Sequence, residues 1–555
     1  MLLVRNAGRR AGAALVLAGV LATLAVGHAQ APAPARQVPA PAPRAATQAD
    51  LEALRVYMHS AWGTLTRTPR DLPAAAVDPK LPPVGDKLPV YVSRREDPGA
   101  VRRALAAVLS PVELERLDVR RLPAPGAPLT EHGLLYLPRP YVVPGGRFNE
   151  MYGWDSYFIV RGLLVDDDVA RAQDMVDDAI YEVVSFGTVL NANRTYYLER
   201  SQPPLLTGMI RAVYAVTHDR AWLASTLPAI RQQYRYWIAA AHLAGKTGLS
   251  RYRAFGAGPA PEVLSAERDA QGRDHYDRVR AALRTESPVD LHDVARVYDR
   301  RADRLTPLAY VADRTVRESG FDLTDRWGRF SLDILSYAPV CLNSLLYAME
   351  RDAAEILREL GRAAEARTWT AAAEKRARRV RSLMWDEERG LFLDYDFERG
   401  QRRAYTYAAT FFPLWVGLAT PEQARRVAAT ALPLLLQPGG LMTSTRVSGQ
   451  QWDAPFGWAP LQLVAVEGLR RHGLDADADR LALAFLGTVL KEFVEHGAVF
   501  EKYDVRRRES DVAAGLRFGY LSNEIGFGWT NGVFLALQES LSPERRAAIV
   551  RAAAP

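Results

Sequence analysis

The spacing of apolar residues is the feature of this sequence that most limits how the chain can fold. From Leu342 to Leu360 they recur every three or four positions, so they share one face of an amphipathic helix, and Gly361 follows where a C-cap is expected. A second helix is predicted from about Ala363 to Met384. The sequence therefore predicts consecutive helices that must each bury one face.

Helix start signals recur further along the chain, whereas strand signals are few. Residues 420–423 (Thr-Pro-Glu-Gln) combine an N-cap hydroxyl, a proline at the first helical position and a capping-box glutamine, which predicts a helix to about Leu436. Residues 542–544 (Ser-Pro-Glu) predict another helix in a similar way. The strand-like run 390–395 predicts half of a small hairpin.

Residues 49–555 show no second break in composition and are numerous enough for a large core, so we expect one large helical domain there. Periodicity alone leaves open a helical barrel, a bundle and a solenoid, although the lack of a fixed-period repeat weakens the solenoid. Cys341 is the only cysteine, which excludes an intramolecular disulfide. Its apolar helical surroundings predict a buried, inert thiol rather than a nucleophile.

The first 48 residues divide into two segments that we expect to lie outside the folded domain. Residues 1–29 contain three arginines, an apolar run at 11–26 and a short Gly-His-Ala end, which predicts a secretory signal. A membrane anchor is the weaker alternative, because the run is shorter than the ~18 apolar residues that a span usually needs. Residues 30–48 are rich in Ala and Pro and predict an extended linker. We therefore expect a periplasmic or secreted protein without a stable membrane anchor.

Charge and histidine content give no indication of nucleic-acid, metal or cofactor binding. The formal charge of +7 is small for 555 residues, and acidic and basic residues are interspersed, so no nucleic-acid partner is expected. The nine histidines form no recognised ligand-spaced cluster, and phosphate-loop and dinucleotide motifs are absent from the sequence. We expect a monomer that binds a small molecule and uses no cofactor.

Two Trp-Asp motifs lie far apart in the chain, at 144–155 and 450–460. Each carries an indole and a carboxylate on a backbone that Gly and Pro constrain. An indole can cover the C–H face of a sugar ring while a carboxylate accepts hydrogen bonds from its hydroxyls. The alternative is that these tryptophans are core residues beside tight turns. The pair of motifs favours carbohydrate binding.

Hydrolysis of a glycosidic bond needs two carboxyl groups, one to protonate the leaving oxygen and one to activate water or attack carbon. Two of the 64 acidic residues stand in suitable surroundings. Asp322 lies in a loop-like segment with glycine and aromatic neighbours, although a helix-capping role is the stronger interpretation from the residues alone. Glu501 begins a Glu-Lys-Tyr-Asp run after an apolar stretch, where surface ion pairs are the alternative.

These segments resemble the trehalases of glycoside hydrolase family 37, whose two signature motifs look like residues 144–155 and 450–460. Further similar segments occur at 318–327, 500–504 and 526–532, and the resemblance runs from about Leu51 to about Leu537. It implies an all-α (α/α)6 barrel with small β-hairpin elements in loops and a site at one end. It also implies that the chain is an inverting α,α-trehalase, which hydrolyses the disaccharide trehalose to two glucose molecules.

The resemblance assigns roles residue by residue. Asp322 is expected to be the general acid and Glu501 the general base, with carboxyl groups about 6.5 to 9.5 Å apart as inversion requires. Arginine suits substrate contact because its planar fork can donate to two adjacent hydroxyls. The implied substrate contacts are Arg147, Trp154, Asp155, Asn191, Arg200, Gln202, Arg284, Glu286 and Gly320.

The chain departs from the family pattern near both proposed carboxyl groups. Phe321 stands where the family usually has Trp, and Asp325 adds a negative charge close to the proposed acid. Residues 506–525 are charged and lack the Gly-Glu-Tyr that often ends a glycine-rich lid, with Glu524 as a substitute for its Glu. These departures keep two alternatives open. They are a glycosidase of the same fold acting on another α-glucoside, and a catalytically silent periplasmic sugar-binding protein.

Overall fold

The computed structural model describes residues 44–554, except 82–84, 125, 267, 270 and 521, and leaves the side chains of residues 265 and 266 undescribed. The predicted signal at 1–29 and residues 30–43 of the predicted linker lie outside the described residues. The first helix begins at Gln48, where Thr47 and Asp50 form a capping box. The ordered helix therefore starts one residue before the predicted domain start at residue 49.

Helices account for most of the regular structure in the described residues. In chain order they are α1 (Gln48–Leu65), α2 (Leu72–Ala75), α3 (Pro98–Ala106), α4 (Pro111–Glu115), α5 (Asp155–Val165), α6 (Val169–Phe186), α7 (Leu206–Thr217), α8 (Arg220–Ser225), α9 (Leu227–Trp237), α10 (Pro261–Ala266), α11 (His275–Thr285), α12 (Pro307–Glu318), α13 (Val340–Glu359), α14 (Ala363–Met384), α15 (Phe412–Trp415), α16 (Pro421–Leu435), α17 (Ala459–Arg471), α18 (Asp475–His496), α19 (Gly528–Glu539) and α20 (Pro543–Ala552).

Six of these helices form a closed inner ring. Helix α5 contacts α7, and the ring continues through α13, α15, α17 and α19, which returns to pack against α5. An outer layer covers the ring: α6 and α9 pack on its first part, α14 on α13, α16 on the turn at 408–411 that precedes α15, α18 on α17, and α1 on α19. This order is that of an (α/α)6 barrel, so the predicted fold class is confirmed. No helix in the described part of the chain is both long and apolar enough to span a bilayer.

The predicted helices are confirmed where capping signals were clearest. Helix α13 is followed by Gly361, whose φ of +78° suits a C-cap, and the N–H of Arg362 donates to the carbonyl of Leu357 at 2.7 Å. Helix α14 has the predicted bounds. At the start of α16 the N–H of Gln423 donates to the hydroxyl of Thr420 at 3.2 Å. Cys341 is buried, as predicted.

The strands are short and lie in loops or in a small sheet near the N-terminus. In chain order they are β1 (Thr66–Arg67), β2 (Leu88–Val92), β3 (Leu117–Arg121), β4 (Leu134–Leu135), β5 (Tyr141–Val142), β6 (Tyr298–Asp299), β7 (Arg304–Leu305), β8 (Tyr337–Ala338), β9 (Trp385–Asp386), β10 (Leu391–Phe392), β11 (Tyr395–Asp396), β12 (Gln401–Arg402), β13 (Leu436–Gln437), β14 (Gly440–Leu441), β15 (Phe456–Trp458) and β16 (Lys502–Asp504).

Two of these sheets bear on the predictions. Strands β9 and β10 pair antiparallel, which confirms the hairpin predicted at 390–395. Strands β3, β2 and β4 form a parallel sheet that was not predicted. The reason lies in β3, whose sequence Leu-Asp-Val-Arg-Arg is mostly polar and lacks a strong strand signal. The sheet is stabilised by Leu105 of α3, which is buried in the same small core as Val90 and Leu117.

Candidate functional site

The loops that lead into the inner helices line a cavity at one end of the ring. Nine of the eleven predicted site residues lie in its wall, although they come from five separate segments of the chain. These nine are Arg147, Trp154, Asp155, Asn191, Arg200, Gln202, Gly320, Asp322 and Glu501. The structure therefore brings the two predicted carboxyl groups and most of the predicted contacts to one place.

Arg284 and Glu286 are not brought to this cavity. Arg284 lies in the last turn of α11, where its side chain is 58% exposed and pairs with Asp303 at 3.0 Å. Glu286 follows the helix and pairs with Arg329 at 2.7 Å. Arg329 also pairs with Asp325, at 3.2 Å. Both predicted contacts are thus engaged in ion pairs outside the cavity wall.

Glu262 at the start of α10 lines the cavity and was missed by the sequence analysis. Its Oε1 accepts a hydrogen bond from Arg200. Burial opposes ionisation of Glu262, but the charges of Arg200 and Arg317 outweigh it and hold its pKa below the usual range. Oε2 of Glu262 and Nη1 of Arg200 are buried without hydrogen-bond partners in the described residues. An acceptor and a donor thus remain in the cavity wall for a ligand.

The signal for Glu262 was present but subtle. The residue ends a Gly-Pro-Ala-Pro-Glu run at 258–262, a constrained backbone like that of the Trp-Asp motifs. A search for carboxylates that follow Gly and Pro, rather than for Trp-Asp pairs alone, would have found it.

Arg317 is a second cavity residue that was missed. It lies in the last turn of α12, where Asp313 accepts a hydrogen bond from its Nε at 3.1 Å. Its Nη1 is 3.6 Å from Oδ2 of Asp322, whose side chain is 30% exposed. Asp313 is itself held by the hydroxyl of Tyr276 at 2.8 Å. A buried chain of side chains therefore places a guanidinium beside the predicted acid.

The first Trp-Asp motif presents both of its side chains to the cavity. The N–H of Trp154 donates to the side-chain oxygen of Gln202 at 2.8 Å, which fixes the start of α5. Gly320 lies against the indole: its φ is +77°, and a Cβ there would be 2.9 Å from the Trp154 ring. Burial, followed by the charges of Glu501 and Asp322, raises the pKa of Asp155 well above its usual value.

The second Trp-Asp motif presents the indole of its Trp-Asp pair to the cavity but not the carboxylate. Trp452 lines the cavity and stacks on Trp458, with ring centroids 4.0 Å apart and planes 4° apart. Asp453 is buried behind the wall, which corrects the expectation that its carboxylate faces a sugar. Its oxygens accept from the N–H of Asp325 at 2.8 Å, the hydroxyl of Thr324 at 3.0 Å, and the hydroxyls of Tyr405, Ser444 and Ser448.

Asp453 and its neighbours hold the loop that carries Asp322. The N–H of Trp452 donates to the carbonyl of Leu323 at 2.9 Å, and Nε2 of Gln451 donates to the carbonyl of Asp322 itself. Burial, followed by the charge of Asp325, raises the pKa of Asp453 to about 6. The second motif therefore serves as an anchor for the acid loop.

Asp325 does not direct its charge at the predicted acid. Its carboxylate accepts from the N–H of Phe330 at 2.9 Å, from Arg329 and from Gln450. These contacts leave Asp325 paired inside the loop.

Glu501 precedes β16, which pairs with β15 of the second motif so that Lys502 lies opposite Trp458. Nζ of Lys502 donates to Oε2 of Glu501 at 2.9 Å, and the hydroxyl of Tyr520 donates to Oε1. The Glu501–Lys502 pair, predicted as a surface alternative, is buried. Burial lowers the pKa of Lys502. Because β15 and β16 pair, the second motif supports the base as well as the acid loop.

Arg147 connects the first motif to the segment that replaces the glycine-rich lid. Its guanidinium lies 4.6 Å from the ring centroid of Phe148 and 4.9 Å from that of Tyr520. Its Nε is 3.0 Å from Oε1 of Glu524. Glu524 is absent from the cavity wall, whereas Tyr520 forms part of it. Glu524, which was expected to replace the glutamate of the lid, therefore forms an ion pair with Arg147 instead of lining the cavity.

One group of side chains in the described residues has the spacing of metal ligands, and the sequence analysis missed it. Glu492, Glu495 and His496 on α18 bring one ligand atom each within 4.8 Å of one another. Oε1 of Glu492 accepts from Lys491 at 2.8 Å and its Oε2 accepts from the N–H of Ser510 at 2.8 Å. None of the three lines the cavity.

Comparison with known proteins gives consistent matches. The model of the trehalase family matches residues 34–542. The cytosolic neutral trehalase of Saccharomyces cerevisiae is 38% identical over 445 residues, which are 74% of this chain and 58% of the yeast protein. The periplasmic trehalase of Pseudomonas aeruginosa is 39% identical over 418 residues, 74% of this chain and 72% of that protein. This chain therefore spans less than two thirds of the length of the yeast relative.

A solved structure supports the same relationship. Neutral trehalase Nth1 from Saccharomyces cerevisiae superposes with a TM-score of 0.75 and 31% identity, over 91% of this chain and 96% of that one. A family model that matches most of the sequence and a related fold over nearly all of it lead to one conclusion: the chain belongs to the trehalase family.

Proposed function

We propose that this protein is a trehalase that hydrolyses α,α-trehalose to two glucose molecules with inversion. The observation that carries the proposal is the cavity wall, in which Asp322 and Glu501 from separate loops lie with four tryptophans, Trp154, Trp452, Trp458 and Trp529. Aromatic faces and carboxyl groups in one cavity suit a polyhydroxylated ring. The same wall accounts for most residues that the family resemblance implies.

In this proposal Asp322 protonates the glycosidic oxygen while Glu501 takes a proton from the attacking water on the opposite face of the ring. Arg317 lies beside Asp322, and Lys502 binds the proposed base. Proton transfer needs both groups held in place, since general acid–base catalysis depends on hydrogen-bond reach to the reacting atoms. Arg317 and Lys502 restrict the positions of the two carboxyl groups in this way.

The substrate contacts follow from the groups left in the wall. The unpartnered Nη1 of Arg200 and Oε2 of Glu262 are suited to donate to and accept from sugar hydroxyls. The remaining proposed contacts are Arg147, Trp154, Asp155, Asn191, Gln202 and Gly320. We assign to Glu262 and Arg317 the contacts that the resemblance implied for Arg284 and Glu286.

We further propose that the protein is exported as a monomer of the periplasmic type. Residues 1–29 have the composition of a secretory signal, and the periplasmic trehalase of Pseudomonas aeruginosa is 39% identical. Fractionation of the native host, with N-terminal sequencing of the recovered protein, tests export. Protein recovered at full length from the cytoplasm would contradict it.

The reaction is tested by proton NMR of purified protein with trehalose, recorded before mutarotation. We expect equal initial amounts of α- and β-glucose. The ring attacked by water is released as β-glucose, whereas the leaving glucose keeps its α configuration because no bond to its anomeric carbon is broken. Asp322→Asn and Glu501→Gln should each abolish release. Binding of trehalose by calorimetry, with no glucose released by the wild type, would instead indicate a sugar-binding protein.

The substrate is tested by comparing kcat/KM for trehalose, maltose and kojibiose. We expect trehalose to be preferred by at least tenfold, about 1.4 kcal/mol in transition-state binding. A preference for maltose or kojibiose would assign the chain to another α-glucoside.

A further inference from the structure

Tyr520 lies beside the proposed base, in the segment where the chain departs from the family pattern. Its hydroxyl donates to Oε1 of Glu501, whereas Nζ of Lys502 donates to Oε2 from 2.9 Å. The two carboxylate oxygens therefore have separate donors from two different parts of the chain. A carboxylate held at both oxygens is restricted in rotation about its terminal bond.

Two cations fix the ring of Tyr520. Nζ of Lys502 is 4.2 Å from its centroid and the guanidinium of Arg147 is 4.9 Å away. Cations are attracted to an aromatic face by its quadrupole. Each cation is itself held, since Lys502 donates to the carbonyl of Ser522 at 3.2 Å and Arg147 pairs with Glu524 at 3.0 Å. The hydroxyl of Tyr520 is thereby directed at Glu501 by a built set of contacts.

We propose that Tyr520 is a positioning residue that orients Glu501 and favours its ionised form, an inference that rests on the proposed function. A hydrogen bond donated to a carboxylate stabilises the charged state and is stronger than one between neutral groups. A general base must be ionised and directed at its proton before reaction. The tyrosine hydroxyl contributes to both conditions through its hydrogen bond to Glu501.

Several other charged groups act on this pair. Lys502 and Arg147 favour the ionised carboxylate, whereas nearby carboxyl groups oppose it and Glu524 offsets the charge of Arg147. The carboxyl groups that face the pair are Asp155 and Asp322. Burial, followed by the charge of Glu501, raises the pKa of the Tyr520 hydroxyl well above 10, so it stays a donor throughout the range in which carboxyl groups titrate.

The test compares the pH dependence of kcat/KM for wild type and Tyr520→Phe, which keeps the ring and loses the hydroxyl. We expect the acid limb to move up by about 1 pH unit, because one donor to the charged form is lost. At pH values on the acid limb of both profiles, kcat should fall about tenfold while KM changes less than twofold. Tyr520→Gln, which restores a non-titrating N–H donor, should move the acid limb part of the way back.

Tyr234→Phe is the matched control. Tyr234 also donates to a buried carboxylate, Glu350 at 2.7 Å, but neither residue lines the cavity. The pH profile of kcat/KM for Tyr234→Phe should coincide with that of the wild type. The proposal is overturned if the pH profiles of Tyr520→Phe and wild type superimpose. It is also overturned if the acid limb shifts equally in Tyr520→Phe and Tyr520→Gln.

A measurement without substrate separates this proposal from the proposed function. The difference in unfolding free energy between wild type and Tyr520→Phe should increase with pH as the carboxyl group ionises. A difference independent of pH would overturn the positioning role even if trehalose is hydrolysed. Conversely, the difference in unfolding free energy could depend on pH in a protein that hydrolyses no trehalose. That result would support the positioning of Glu501 by Tyr520 and contradict the proposed reaction.

Discussion

The two Trp-Asp motifs contain the same residue pair and use its carboxylate in opposite ways. Asp155 lines the cavity, whereas Asp453 is buried behind it and accepts hydrogen bonds from its neighbours. Their indoles meet, with the ring centroids of Trp154 and Trp452 5.7 Å apart. One motif therefore places a carboxylate in the cavity wall, and the other supplies the scaffold that holds the loops carrying Asp322 and Glu501.

The difference shows that the same residue pair can serve two different physical roles within one chain. Asp155 lies next to two other carboxyl groups, an arrangement that opposes its ionisation. Asp453 is surrounded by donors, and their removal would leave a buried charge without partners. Activity should therefore depend most directly on the first carboxylate, and the free energy of unfolding on the second.

The largest expected effect is on activity. Asp155→Ala should lower kcat/KM for trehalose about 10³-fold, or about 4 kcal/mol, because a buried contact to the substrate is lost. The free energy of unfolding at pH 7 should change by less than about 1 kcal/mol, since burial and nearby charges already oppose this carboxylate. Initial rates and urea unfolding measure the two effects. A large loss of stability with activity retained would reverse the comparison.

The second expected effect is on stability. Asp453→Ala should lower the free energy of unfolding by about 3 kcal/mol, because the N–H of Asp325 and several hydroxyls lose their buried acceptor. Chemical denaturation checks it, with Asp155→Ala as the matched variant. Equal stability of the two variants would remove the distinction drawn between the motifs.

A third effect concerns the pH dependence of stability in the second motif. The pKa of Asp453 is about 6 in the folded protein and about 3.9 in an unfolded chain, so the folded state binds its proton more tightly. The stability this group contributes is present below pH 4 and is lost as pH rises through 6, by about 2 to 3 kcal/mol. Asp453→Asn, which cannot titrate, should lack this part of the pH dependence. Identical unfolding curves across pH 4 to 7 would contradict the shift.

The smallest effect concerns the support of the first indole. Gly320→Ala and Gly361→Ala both place a side chain at a φ near +77°, which should cost about 1 kcal/mol each. At Gly361 a Cβ meets no atom within 4 Å, whereas at Gly320 it lies 2.9 Å from the ring of Trp154. Only Gly320→Ala should also raise KM severalfold. Equal KM values in the two variants would show that the indole does not need this contact.

Local signals in the sequence predicted much of the helical layer. Residues 420–423 specify a capping box through contacts three residues apart, and the bounds of α14 follow from its own periodicity. The (α/α)6 order itself was implied by the family resemblance rather than by periodicity. The parallel sheet of β3, β2 and β4 was missed because its stability comes from contacts between distant segments.

The site was predictable as a set and less so residue by residue. The family resemblance led to nine residues in one wall, but it also led to Glu286, which pairs with Arg329. It missed Glu262, whose only local signal is the constrained run at 258–262. Nor does the local sequence tell whether the carboxylate of Asp155 or that of Asp453 lies in the cavity wall. Which way a carboxylate faces depends on donors supplied by remote segments, and those donors become adjacent only in the folded chain.

The inner ring closes when α19 packs against α5, and the cavity forms only when the ring is closed. Helix α5 ends at Val165 and α19 begins at Gly528, so the contact joins two segments that are far apart in the sequence. Closing so long a loop is entropically costly and slow compared with the pairing of neighbouring helices. During synthesis the wall carrying Arg147 and Trp154 is made early, yet it stays incomplete until the segment with Glu501 and Trp529 has emerged. The cavity is therefore complete only after α19 has packed against α5, and a chain interrupted anywhere before α19 is expected to lack the proposed site.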